Sequence, residues 1–132
     1  MIVIDASAVV DVLVGVGART GRIRERISIP GQSLHTPYLM DLEVLHTLRR
    51  HTMHGTLSRE RSDEAFEDLT NIVFERYPHT SLLERIWELK DNLTAYDAAY
   101  VALAEALSAP LVTTDARLAR APGIRAAVEV YE

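Results

Sequence analysis

Hydrophobic and polar positions along the chain divide it into short alternating segments. Met1-Ile2-Val3-Ile4 is uninterrupted by polar residues, the mark of a brief strand buried on both faces. Helical spacing follows from Ala6 to about Val14, where Gly15 and Gly17 break it, and Arg19 to Ile27 suits a short exposed helix. Pro30-Gly31 marks a turn. Leu34-His35-Thr36 reads as a second strand, and Pro37 is placed to start a helix reaching His51, with Leu39, Leu42, Leu45 and Leu48 spaced by three. After Gly55, Ser58 is an N-cap for a polar helix to about Asn71, the most peripheral element and a candidate arm or dimer contact. Ile72-Val73-Phe74 predicts a third strand. Beyond Pro78 come a helix carrying Leu82, Leu83, Ile86 and Leu89 and an alanine-rich one from Thr94 to Leu107. Leu111-Val112-Thr113, a short helix from Ala116 to Arg120 and a last strand at Ala127–Val130 complete the series. Strands alternating with helices imply parallel pairing. The expected architecture is an α/β three-layer sandwich with a central, mainly parallel sheet, formed as one domain over residues 1–132.

Composition narrows the classes. A chain of 132 residues with 48% hydrophobic and 25% charged residues has room for a real core and the balance of a soluble domain. No run approaches 18 apolar residues, so no membrane helix is expected. The start has no basic n-region or cleavage site, which points to the cytoplasm. Without cysteine there is no disulfide, zinc thiolate or thiol nucleophile. Lys90 is the one lysine beside arginines that recur at Arg19, Arg22, Arg24 and Arg26, at Arg49 and Arg50, and at Arg117, Arg120 and Arg125. Arginine forks a phosphate where lysine offers a point charge, although solvated helix faces account for such residues equally well.

Four acids stand where the apolar pattern resists them. Asp5 ends the first strand, Asp115 follows the fourth, Glu43 sits between Leu39, Met40 and Val44 on the helix wheel, and Asp97 opens the alanine-rich helix. A buried lone carboxylate is costly unless paired, neutralised or bound to a cation. Each has a structural explanation: Asp5 and Asp115 as N-caps, Glu43 paired with His46, and Asp97 in the box Thr94-Ala95-Tyr96-Asp97. Ligands in open parallel sheets bind beyond the carboxyl ends of the strands, so Asp5 and Asp115 meet if their strands are neighbours. Four converging acids would offer hard oxygen ligands for Mg²⁺ or Mn²⁺. The net charge of −5 argues at first against a nucleic-acid partner, but these four acids contribute −4 of it and a pair of divalent cations would neutralise the site itself. The five histidines show no metal-ligand spacing, phosphate-loop glycines and a nucleophile elbow are absent, and Tyr96 and Tyr100 read as packing residues.

Ile4-Asp5-Ala6-Ser7-Ala8-Val9-Val10, Glu43-Val44-Leu45-His46-Thr47-Leu48, Thr94 through Ala104 and Leu111-Val112-Thr113-Thr114-Asp115-Ala116-Arg117-Leu118 together resemble PIN-domain proteins, and in particular the VapC toxins of bacterial toxin–antitoxin pairs. The resemblance covers nearly the whole chain. It implies a metal-dependent endoribonuclease in which Asp5, Glu43, Asp97 and Asp115 hold Mg²⁺ or Mn²⁺, with Thr113 and Ser7 supporting the site. It also implies a homodimer and a cognate VapB-like antitoxin whose tail fills the active-site groove. His46 departs from the asparagine many members carry, and Arg117 from the further acid of some. On that reading Arg19, Arg22, Arg49 and Arg50, with Arg24 and Arg26, are candidate phosphate contacts for unpaired RNA, and the resemblance implies a structured target such as a tRNA loop. The rival readings are a PIN-like binding module without catalysis and an α/β phosphoacceptor or phosphatase. The latter lacks its D-x-D-x-T motif here, having only Asp5-Ala6-Ser7.

Overall fold

In the computed structural model, which describes residues 1–132, five short strands pair side by side and all parallel. They are β1 (Ile2–Ile4), β2 (Leu34–Pro37), β3 (Glu75–Tyr77), β4 (Leu111–Thr113) and β5 (Val128–Val130), ordered β3-β2-β1-β4-β5. The connecting helices are α1 (Ala6–Val14), α2 (Ala18–Ile27), α3 (Leu39–Met53), α4 (Arg59–Asn71), α5 (Leu83–Glu88), α6 (Ala95–Leu107) and α7 (Ala116–Arg120). From β1 the chain steps to β2 and β3 in one direction, then returns across the sheet to β4 and β5. Right-handed crossovers therefore place α1 to α4 on one face and α5 to α7 on the other. The sandwich of helix, sheet and helix is the expected one.

β1 is central because it is apolar throughout, and Ile2, Val3 and Ile4 are all at most 1% exposed. Its register aligns Val3 with Leu111 and with His35, so Asp5 leaves the sheet beside the end of β4. The alanines of α6 explain its place: Ala98, Ala99, Ala102 and Ala104 are buried with Val101 and Leu103, letting the helix lie close on the sheet. No helix is long and apolar enough to cross a membrane.

Three expectations change. The third strand is Glu75–Tyr77 rather than Ile72-Val73-Phe74. At the sheet edge β3 needs only one covered face, so polar residues pair with His35–Pro37, while Phe74 is buried ahead of the strand and Val73 faces solvent. Pro37 ends β2, and α3 starts at Leu39. Its buried stripe is Met40, Val44 and Leu48, four apart. A spacing of three drifts off one face at 3.6 residues per turn, which leaves Leu42 72% exposed. Finally, α4 is docked rather than an arm. Ala65 and Leu69 are buried, Thr52 and Ser62 bond hydroxyl to hydroxyl, and Arg61 reaches the Leu13 carbonyl.

Candidate active site

At the carboxyl edge of the sheet, β1 and β4 are neighbours from which the chain departs in opposite directions, the switch point where α/β sheets bind ligands. An open pocket of about 850 Å³ lies there. Its walls include Asp5, Glu43, Asp97 and Asp115, with Ser7, Val10, Leu39, Leu42, His46, Arg50, Tyr96 and Tyr100. The four acids that the pattern isolated, 110 residues apart at the extremes, thus share one cavity.

Each reaches it from a different element, and the local hydrogen bonds fix how much of each carboxylate is free. Asp5 is 6% exposed. It caps α1 by accepting the Ala8 N–H at Oδ1 (3.0 Å), and it takes hydroxyl bonds from Ser7 at Oδ1 (2.6 Å) and from Thr113 at Oδ2. Thr113 Oγ1 also accepts the Asp115 N–H (3.0 Å), and Ser7 Oγ accepts the Thr114 N–H (3.1 Å). Ser7 and Thr113 therefore stitch β1 to β4 and aim the first acid. With roughly four lone-pair sites on a carboxylate, Asp5 keeps acceptor capacity at Oδ2 only.

Glu43, in the second turn of α3, accepts the Tyr100 hydroxyl at 2.7 Å, and its other oxygen remains available. Its partner is thus Tyr100 of α6, not the His46 of its own helix. Tyr100 is 2% exposed and packs in the core as its spacing predicts, but periodicity does not disclose the hydroxyl bond to Glu43. The missed signal was a phenol on the pocket-facing side of a helix whose other buried positions are alanine, valine and leucine. Tyr96, one turn earlier, is largely exposed on the pocket wall. Asp97 stands in the first turn of α6, where Thr94 Oγ1 accepts its N–H (3.1 Å) and the carboxylate faces the pocket.

Asp115 differs. It caps α7 through the Arg117 N–H at Oδ1 (2.9 Å), and Arg117 clasps it again through Nε (3.1 Å) and Nη2 (2.7 Å). Little of its carboxylate is left uncommitted.

The electrostatics separate the same way. Burial raises the Asp5 carboxyl above its ordinary range, against the hydrogen bonds of Ser7, Thr113 and Ala8, with the charge of Asp97 adding to the rise. Burial likewise raises Glu43, opposed by the Tyr100 hydroxyl and reinforced by Asp97 and Asp5. Asp97 is raised by burial and then by repulsion from Asp115. The hydrogen bonds of Arg117 instead hold Asp115 low. Tyr100 is pushed far above the usual phenol range by burial and by Glu43, so it stays a neutral donor. None of the protein's ion pairs involves Asp5, Glu43 or Asp97.

No three acids or histidines stand in ready-made ligand geometry. The donor set nonetheless fits a hard divalent cation: oxygens only, negative, uncompensated on three of four members and open on one side. Mg²⁺ keeps several waters and needs just one or two carboxylates plus substrate phosphate.

Of the arginines considered for phosphate contact, Arg50 lines the pocket and Arg49 is exposed beside it on α3. Arg19 is paired with Asp11, Arg22 donates to the Glu132 carbonyl, Arg24 to that of Val12, and Arg26 forks Glu129. None of those four lines the pocket.

A sheet of this order with acids at its switch point defines a class, and residues 2–124 match the PIN domain family. The chain belongs to the PIN-domain family and, within it, to the VapC group. It is 46% identical over 127 residues to ribonuclease VapC1 of Mycobacterium tuberculosis, covering 92% of this chain and 91% of that one. Among solved structures it resembles VapBC2 from Rickettsia felis bound to a DNA fragment from its promoter, at a TM-score of 0.73 and 13% identity with both chains fully covered. It also resembles VapC20 of M. tuberculosis, described as a sarcin–ricin loop cleaving toxin, at a TM-score of 0.70 and 17% identity over 94% of this chain and 96% of that one. At such identities the structures speak for the fold.

Proposed function

We propose that this protein is an endoribonuclease, the toxin half of a toxin–antitoxin pair, that hydrolyses RNA phosphodiesters at the four-acid pocket with a bound Mg²⁺ or Mn²⁺. The observation that carries this reading is the meeting of Asp5, Glu43, Asp97 and Asp115 on one open cavity, three of them without a cationic partner. Kinship with ribonuclease VapC1 supports it at the level of reaction class.

Asp5, Glu43 and Asp97 would hold the cation, with the uncommitted side of Asp115 completing the site. Bound there, it would polarise the scissile phosphate and lower the pKa of an attacking water, giving 5′-phosphate and 3′-hydroxyl ends. The protein's own groups then do the positioning. Ser7, Thr113 and the Ala8 N–H lock Asp5 in one orientation, and Tyr100 does the same for Glu43. Arg50 on the pocket wall offers a fork to a neighbouring phosphate. Leu39, Leu42 and Tyr96 supply the apolar flank against which an unpaired base can rest.

The partners that follow are unpaired RNA, a cognate antitoxin occupying this groove, and a second copy of the chain as homodimer, all in the cytoplasm. The antitoxin reading draws on the similarity to VapBC2. The decisive test is Asp5→Asn and Asp97→Asn assayed on RNA with Mg²⁺. Loss of cleavage by about two orders of magnitude or more in both, with unchanged circular dichroism, is expected. Full cleavage by both variants would rule the mechanism out and leave a binding module.

A further inference from the structure

A second cavity, about 360 Å³, adjoins the first and shares Asp97 and Asp115 with it. Its other walls are Asn92, Leu93, Thr94, Arg117, Leu118, Arg120 and Ala121. The two pockets thus lie on either side of one pair of acids, and their chemistry differs. The first is acidic and apolar with Arg50 at its wall, while the second carries two arginines, an amide and a hydroxyl.

The donors there are only partly used. Arg117 spends Nε and one Nη2 hydrogen on Asp115, so both Nη1 hydrogens remain free, and its side chain is 85% exposed. Arg120 makes one long bond from Nε to the Ala116 carbonyl (3.4 Å), leaving the ends of its fork open. Asn92 Nδ2 gives one hydrogen to the Pro122 carbonyl (3.2 Å) and keeps another. Arginines placed only to balance Asp115 would need one guanidinium, not two. The clasp of Arg117 on Asp115 also pins it at the rim, lowering the entropic cost of meeting a phosphate.

We infer that this cavity is a phosphate-binding subsite in which Arg117 and Arg120 hold the nucleotide adjoining the one cut, so that a single strand runs from Arg50 across the acids to the α7 arginines. The inference rests on the ribonuclease reading and deepens it. Arg117 and Arg120 act here as positioning residues. An acidic protein segment is the competing occupant.

The test uses the full-length protein with Arg117→Gln, Arg120→Gln and the double variant, and Arg59→Gln on the distant, exposed start of α4 as control. Binding of an unpaired RNA of about twelve nucleotides is measured in an Asp5→Asn background, so that nothing is cut, at several salt concentrations. Each variant is expected to lose about 5- to 10-fold in affinity, with the salt slope falling by about 0.7 per lost contact and Arg59→Gln unchanged. In the cleavage assay KM rises several-fold for Arg117→Gln and Arg120→Gln on the long strand with kcat little changed, while Arg59→Gln keeps the wild-type KM. An unchanged affinity and slope in the folded double variant would overturn the subsite. So would a loss of affinity confined to a polyglutamate peptide. Wild-type protein that neither binds nor cuts RNA would instead bring down the ribonuclease reading itself.

Discussion

Tyr100 and Asp97 show how much of the site depends on single groups. Tyr100→Phe keeps the ring in its place and removes only the hydroxyl that steadies Glu43. A cost of about 1 kcal/mol in stability and roughly tenfold in RNA cleavage is expected, read by thermal melting and by initial rates. Asp97→Asn has the opposite effect on stability in the absence of divalent ions. It removes a charge that raises both Glu43 and Asp5, so melting in EDTA should rise by a degree or two, about 0.5 kcal/mol after solvent screening. An Asp97→Asn protein that melts lower than wild type in EDTA would contradict the repulsion described here. Asp5, Glu43, Asp97 and Asp115 were legible in the sequence because a carboxylate inside an apolar run is anomalous on physical grounds. Tyr100 was not, since a tyrosine satisfies an apolar pattern as well as phenylalanine does and only a contact across 57 residues discloses its hydroxyl.

Elements hold together through a few polar braces that hydrophobic periodicity does not register. Gly15 is one case: a Cβ there would run into Asp11 and the Thr20 hydroxyl, the buried knot between α1 and α2. The residue was read as a helix breaker, yet what demands glycine is closeness rather than dihedral freedom. Gly15→Ala should destabilise by about 2–3 kcal/mol in chemical denaturation. Arg85 and Glu105 join α5 to α6 with bonds of 2.7 and 3.2 Å, and Glu105 also accepts the Arg125 N–H. Although burial opposes it, these bonds hold the Glu105 carboxyl below its ordinary value. A carboxyl whose pKa is depressed by folding stabilises above its unfolded value near 4.3 and loses that contribution as pH falls through the folded value. Glu105→Gln should therefore cost about 1–2 kcal/mol near pH 7, and the difference from wild type should shrink below about pH 4. The misplaced third strand has the same origin as these omissions. Edge pairing is decided by the neighbour β2, while Ile72-Val73-Phe74 displays only its own hydrophobicity.

For the molecule as a whole, order and type of elements could be read in advance because β1 is apolar throughout, β4 is apolar up to Thr113, and α6 is dense in alanine. How close the strands β1 and β4 lie could not be read, since nothing in either segment names its neighbour. Their adjacency underlies the expectation that ions act on global stability. Wild-type protein at about 100 times the dissociation constant of Mg²⁺ should gain about 2.7 kcal/mol, a gain absent from Asp97→Asn. A shift of equal size in both proteins would place the ion elsewhere. The same adjacency ties the site to the longest-range pairing in the chain. Asp115 is synthesised some 110 residues after Asp5, and the two meet only when the fourth strand docks against the first. A polypeptide still emerging from the ribosome, or one whose fourth strand has peeled away, has no such pocket. The pocket and the finished sheet therefore arrive together, and no part of the chain short of its fourth strand has a place to gather the four acids.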